Sequence, residues 1–165
     1  MGHRLIHGAS ESCALPHGHN EFITVRLKPS ALTRLDGAGN MPVSFQKAKS
    51  TWHRFVDERL DHALQLASDD PLLAWFQTHE PARAARIVVT PGDPTTELMV
   101  CLLMSKLNAF LSAEGGVLYC SEPSIEETPT NTVSFPDDPT MIIPVQAEPG
   151  SRCWTRPDMN ISDPF

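Results

Sequence analysis

Apolar residues recur at three- and four-residue intervals along two stretches of this chain and gather into short β-branched runs along several others. From Phe45 to about Leu66, the positions Phe45, Ala48, Trp52, Phe55, Val56, Leu60, Ala63 and Leu64 are apolar. Lys47, Lys49, Arg54, Asp57 and Glu58 fall between them. That spacing predicts an amphipathic helix, with Ser44 as its N-cap after a short extended piece over 41–45. A second long helix is predicted where Asp93 can cap, Pro94 fits the first helical position and Glu97 lies in the first turn. It runs through Leu98, Cys101, Leu102, Leu107 and Phe110 and stops at Glu114-Gly115-Gly116. A short helical piece is expected over Pro71 to Thr78. Strands are expected over Phe22–Leu27, Ile87–Val89, Val117 to about Thr128 with a bend at Pro123, and Thr132–Phe135. Asp36-Gly37-Ala38-Gly39-Asn40 reads as a turn. The order predicts an α+β fold with a mostly antiparallel sheet.

After Phe135 the periodicity stops. Prolines at 136, 139, 144, 149, 157 and 164 break any helix or strand, so the chain divides into a domain over 1–135 and a Pro-rich extended tail over 136–165. The tail is expected to wrap the domain or a neighbouring subunit, anchored by Met141-Ile142-Ile143 and Trp154. With 165 residues, the chain has room for a single core. A net charge of -7 argues against a broad grip on nucleic acid or anionic lipid. No apolar run reaches the ~20 residues of a membrane span. The N-terminus lacks the apolar core of a signal peptide, so a cytoplasmic protein is expected. Cys13, Cys101, Cys120 and Cys153 include no CxxC pair and read as free thiols, Cys101 as core filler.

Four of the seven histidines lie in the first 20 residues, and this is where the chemistry concentrates. His17-Gly18-His19 stands just before a strand. Residues two apart in extended backbone point to one face, so both imidazoles can reach one metal ion. A third ligand can come from His3 or His7. Three neutral nitrogens would leave a tetrahedral zinc one open position, as catalytic zinc requires. Such an ion could polarise a substrate oxygen and stabilise an enolate. Cys13, four residues before His17, reads either as a base or nucleophile with a lowered pKa or as a fourth ligand. Asp61-His62 can form a carboxylate–imidazole pair, although adjacent residues on a helix do not face each other.

Taken together, His3-Arg4-Leu5, Cys13-x-x-x-His17-Gly18-His19-Asn20, Leu60-Asp61-His62, Pro94-Thr95-Thr96-Glu97 and Glu127-Thr128 resemble the 6-pyruvoyltetrahydropterin synthase and 6-carboxytetrahydropterin synthase family, of the tunnelling fold. The resemblance covers about residues 3–135 and leaves the tail unmatched. The Cys-x-x-x-His-Gly-His spacing is similar to the carboxytetrahydropterin branch, which serves queuosine and other 7-deazaguanine pathways. The resemblance implies His3, His17 and His19 as ligands of a zinc ion and Cys13 as the catalytic base. Asp61 and His62 would complete a proton-transfer group from a neighbouring subunit. Glu127 would anchor the pterin ring, in a pocket lined by Thr95, Thr96 and Glu97. The implied fold is a four-stranded antiparallel sheet with two helices on one face, assembled around a barrel as a homo-oligomer, commonly a hexamer. The implied reaction converts 7,8-dihydroneopterin triphosphate to 6-carboxy-5,6,7,8-tetrahydropterin, acetaldehyde and triphosphate.

Three departures mark this chain. The family has a longer strand before its first zinc histidine, so either the start is truncated or the first strand is built differently, with His7 as the alternative ligand. Ser44-Phe45 opens the first helix where the family carries an acidic or amide residue. The 31 residues between His62 and Pro94 exceed the usual length and include Trp75 and Phe76. Alternative readings are 6-pyruvoyltetrahydropterin synthesis, an aldolase-type cleavage of dihydroneopterin, or a non-catalytic relative that binds a pterin or a protein.

Overall fold

The computed structural model describes residues 1–32, 36–37, 40–143 and 152–163. The chain folds as α+β, in the order β1 (Gly2–His3), β2 (His17–Gly18), β3 (Phe22–Pro29), α1 (Phe45–Phe55), β4 (Leu64–Ala67), α2 (Pro71–His79), α3 (Pro81–Ala84), β5 (Ile87–Thr90), α4 (Thr96–Ala113), β6 (Leu118–Thr128) and β7 (Asn131–Ser134). The strands form two sheets rather than one. β3, β6 and β7 make an antiparallel three-stranded sheet. The other is a mixed sheet in the order β2-β1-β4-β5, in which β4 runs parallel to both β1 and β5. The expectation of a single four-stranded antiparallel sheet is thereby corrected.

The source of that difference lies between Phe55 and Ala67. α1 begins as expected, with the Ser44 side chain accepting from the Lys47 N–H. It ends at Phe55, however, and passes into a single π turn over Val56–Leu60 that Asp61 closes by donating its N–H to the Val56 carbonyl. Leu64–Ala67 then forms a strand. Leu64 and Leu66 continue the apolar spacing of the helix, and a short apolar run fits either element. A parallel β4–β5 pair needs a crossover of a dozen or more residues, and α2 with α3 supplies it. α2 is started by Asp70, whose carboxylate accepts from the Leu72 N–H, with Pro71 in the first turn. Its Leu73 packs on Leu66, Ile87 and Val89. The segment longer than the family's usual length therefore covers the outer face of the parallel strands.

The larger core lies on the other face. Trp52, Phe55, Leu60, Val88, Met99, Leu103, Leu107, Phe110 and Ile125 are buried there, with the Phe55 and Phe110 rings 5.5 Å apart. α4 is the described helix whose length and composition would suit a membrane span. Ten of its 18 residues are nonetheless buried inside the domain, which is how a core helix looks. Its N-cap is Thr95, two residues later than expected, because the Asp93 carboxylate is engaged elsewhere. β3 alternates as its sequence predicts, with Ile23, Val25 and Leu27 turned toward the core. The β3–β6 register shifts between Arg26 and Leu27.

The described part of the C-terminal segment packs onto the core. Trp154 and Cys153 are fully buried, and Ile161 and Ile143 nearly so, whereas Met141 and Ile142 remain exposed. Burial pushes the Cys153 thiol up to about 12. Lys106, buried on α4, donates to the carbonyls of Cys153, Arg156 and Asn160 and to Asp158 Oδ1 at 2.9–3.1 Å, with its ammonium over the Phe55 and Phe110 rings. The outward-facing backbone groups of Val89 are both taken: its N–H donates to the Ile161 carbonyl, and its carbonyl accepts from Trp154 Nε1. Ala38, Gly39, Pro144, Pro149 and Pro164 lie outside the described residues.

Candidate metal centre and its cleft

β1 and β2 pair antiparallel with His3 opposite His17. Opposed residues in such a pair share a face, and His19 returns to that face two residues later. One potential ligand atom from each imidazole lies within 4.8 Å of the other two, and ring centroids are 4.5–5.3 Å apart. Gly18 is required by the backbone that passes beside it. A Cβ there would sit 3.0 Å from the Met1 carbonyl oxygen, across which this strand passes.

The hydrogen bonds fix how the rings present themselves. His3 Nδ1 lies 3.2 Å from the Pro94 carbonyl and His17 Nδ1 lies 2.8 Å from the Leu15 carbonyl. A carbonyl only accepts, so both Nδ1 atoms carry hydrogen and both Nε2 atoms carry lone pairs when the rings are neutral. Those two Nε2 atoms face each other at 3.0 Å. Burial, reinforced by the neighbouring His17, lowers the His3 pKa and so favours its neutral form. Two opposed lone pairs repel unless a cation lies between them, and nitrogen ligands of tetrahedral zinc stand about 3.3 Å apart. The donor set fits such an ion.

His7 is excluded from the cluster. Its Nδ1 meets Asp93 Oδ1 at 3.0 Å and its Nε2 meets Asp69 Oδ2 at 3.1 Å. The Asp93 hydrogen bond raises its pKa. Because the folded value lies above the ordinary one, the contribution to stability is full below about pH 6.5 and is lost as pH rises through the folded value. In the presence of chelator, urea midpoints of the wild type and His7→Gln should therefore differ more at pH 5.5 than at pH 8.5. A pH-independent gap would rule out the charged clasp.

Cys13 lies in a turn in which its N–H donates to the Ser10 carbonyl and the Ser10 hydroxyl donates to Sγ at 3.1 Å. Its carbonyl accepts from the Leu5 N–H, two residues past His3. Among the described residues the metal-competent group comprises three histidines and no cysteine. Asp61 and His62 lie beyond the π turn rather than on a helix. His62 takes φ +57°, which turns its Nδ1 to 2.9 Å from Asp61 Oδ2. Arg86 holds this turn, donating to the Asp61 carbonyl at 2.6 Å. Within one chain the pair lines an open cleft of about 640 Å³ with His17, Gly18, His19 and Leu64; Cys13 does not line it.

Glu127 is the residue skipped where the β6–β7 register shifts, and a bulge of this kind re-aims a side chain. Its charge acts on both His3 and Glu21. Thr95 caps α4 through Oγ1, Thr96 is half-buried and Glu97 is exposed; none of the three lines the cleft. Two residues escaped the sequence reading. Glu21 lines an adjoining 340 Å³ cleft, and burial, helped by Glu127, raises its carboxyl pKa. Gln65, buried on β4 in register with His3, points its amide at Glu21, 3.5 Å away. The period of two that joins His17 to His19 reaches Glu21 next, and that was the available signal.

The model of the 6-pyruvoyl tetrahydropterin synthase family matches residues 1–138. The chain belongs to this family. A relative from Rickettsia felis, named 6-carboxy-5,6,7,8-tetrahydropterin synthase, is 28% identical over 128 residues, spanning 78% of this chain and 87% of that protein. The crystal structure of an uncharacterized protein from Wolinella succinogenes superposes with a TM-score of 0.64 at 22% identity, over 83% of this chain and 92% of that one. That likeness shows a shared fold. Membership in the pterin synthase family makes a pterin-processing enzyme the coarse functional assignment, and the histidine cluster is a place where such an enzyme could hold metal.

Proposed function

We propose that this chain is a zinc-dependent lyase converting 7,8-dihydroneopterin triphosphate and one water to 6-carboxy-5,6,7,8-tetrahydropterin, acetaldehyde and triphosphate, a step toward 7-deazaguanines. The observation that carries the metal is the pair of Nε2 atoms 3.0 Å apart, with both Nδ1 atoms committed to carbonyls. The name of the Rickettsia felis relative supports the choice of product. Zinc held by His3, His17 and His19 supplies a Lewis acid for the side-chain oxygens of the substrate. Cys13 removes the proton from the carbon beside them, and the Asp61–His62 pair carries protons to and from the reacting side chain. Glu127 accepts two hydrogen bonds from the N–H edge of the pterin, and Thr95, Thr96 and Glu97, which lie outside the single-chain cleft, shape the pocket once copies assemble. The reading includes a homo-oligomer with active sites between copies. β3, an eight-residue strand paired on one side only, offers an edge for such assembly.

Metal analysis of the purified chain should find about one zinc per chain, since the site uses a single set of three ligands. Incubation with 7,8-dihydroneopterin triphosphate should yield 6-carboxytetrahydropterin by mass spectrometry. A chain that purifies without metal and stays inert with added zinc sinks the reading. A pyruvoyl product, or 6-hydroxymethyl-7,8-dihydropterin with glycolaldehyde triphosphate from aldolase-type cleavage, moves it to another branch of pterin chemistry.

A further inference from the structure

The Asp93–Pro94 dipeptide grips the chain on both sides of Arg4. Asp93 is largely buried, and its carboxylate accepts three hydrogen bonds: Oδ1 from the Ile6 N–H at 3.0 Å and from His7 Nδ1 at 3.0 Å, and Oδ2 from the His7 N–H at 2.7 Å. The next carbonyl, that of Pro94, accepts from His3 Nδ1. The β1 strand that carries His3 is only two residues long, so sheet pairing ends where this grip begins. The N–H of Leu5, between the two gripped points, donates to the Cys13 carbonyl.

We propose that Asp93 is a positioning residue of the metal centre, acting through His3: its side chain fixes the 5–7 backbone, and its peptide sets the Pro94 carbonyl that aims His3 Nε2. The same grip seats the turn that carries Cys13. A carboxylate suits the task because two backbone N–H groups and an imidazole N–H converge on it, and a neutral group would satisfy them less well. The inference rests on the zinc reading above and adds a residue to it. Outer groups that orient a ligand imidazole ordinarily matter about 10- to 100-fold in metal affinity.

The test uses the full chain and zinc itself, measured by competition with a chromophoric chelator, together with the visible absorption of the cobalt-substituted protein. Asp93→Ala should weaken zinc about 10- to 100-fold and broaden the tetrahedral cobalt bands. Asp69→Asn, which removes the other carboxylate on His7 but leaves Pro94 in place, should change affinity by less than about twofold. This control separates aim from general loosening of the loop. Should Asp93→Ala fail to fold, Asp93→Asn carries the test, because it keeps one acceptor but sets an amide donor against the His7 N–H. Zinc binding and cobalt spectra in the folded variant that match the wild type overturn the positioning role alone. A wild type that binds no zinc overturns this inference and the zinc reading together.

Discussion

Cys13→Ala is expected to lower turnover of 7,8-dihydroneopterin triphosphate by about 10²- to 10⁴-fold while zinc content stays at the wild-type level. The split between the two readouts follows from position. The metal-competent atoms belong to three imidazoles, and the sulfur lies in a separate turn tied to the chain by its backbone through Ser10 and Leu5. Deleting Sγ removes a proton acceptor and leaves those backbone hydrogen bonds intact. Steady-state rates and metal content on the same preparation check it. Loss of zinc would make Cys13 a ligand, and undiminished turnover would remove it from the chemistry.

Lys106→Ala is expected to cost about 3 kcal/mol of stability, since one buried carbonyl, two partly buried carbonyls and a carboxylate lose their common donor and the stem leaves a void beside Phe55 and Phe110. For a chain of this size the thermal midpoint should fall by about 6–12 °C. Lys106→Met should lie between the two, because it restores the packing of the stem but not the hydrogen bonds. Calorimetry decides it. An unchanged midpoint in Lys106→Ala would mean that the C-terminal segment holds to the core without the ammonium.

The histidine pair on β2 was legible because a period of two needs only local backbone to bring His17 and His19 together. Spacing alone left the third ligand between His3 and His7, which stand at similar sequence distance, and the resemblance pointed to His3, the one the cluster contains. What separates them is Asp69 and Asp93, which draw His7 away and sit just past the ends of β4 and β5. Asp61 and His62 were recognisable as a pair, but their contact depends on the positive φ of His62, which helical spacing does not foretell. β4 was hidden for a related reason. Its apolar residues extend the periodicity of α1, and only pairing with β1 and β5, which are distant in sequence, makes it a strand. Without β4, Gln65 had no place beside His3, and nothing in the local pattern joined Glu21 to it.

Val89 covers one border of the mixed sheet. Its outward N–H and carbonyl are both spent on Ile161 and Trp154, so the C-terminal segment occupies the middle of the β5 edge. At the other end of the sheet lies β2, only two residues long. For the homo-oligomer proposed above, the strand edges left open among the described residues are those of β3 and β7, and the C-terminal segment is the selvedge of the other sheet.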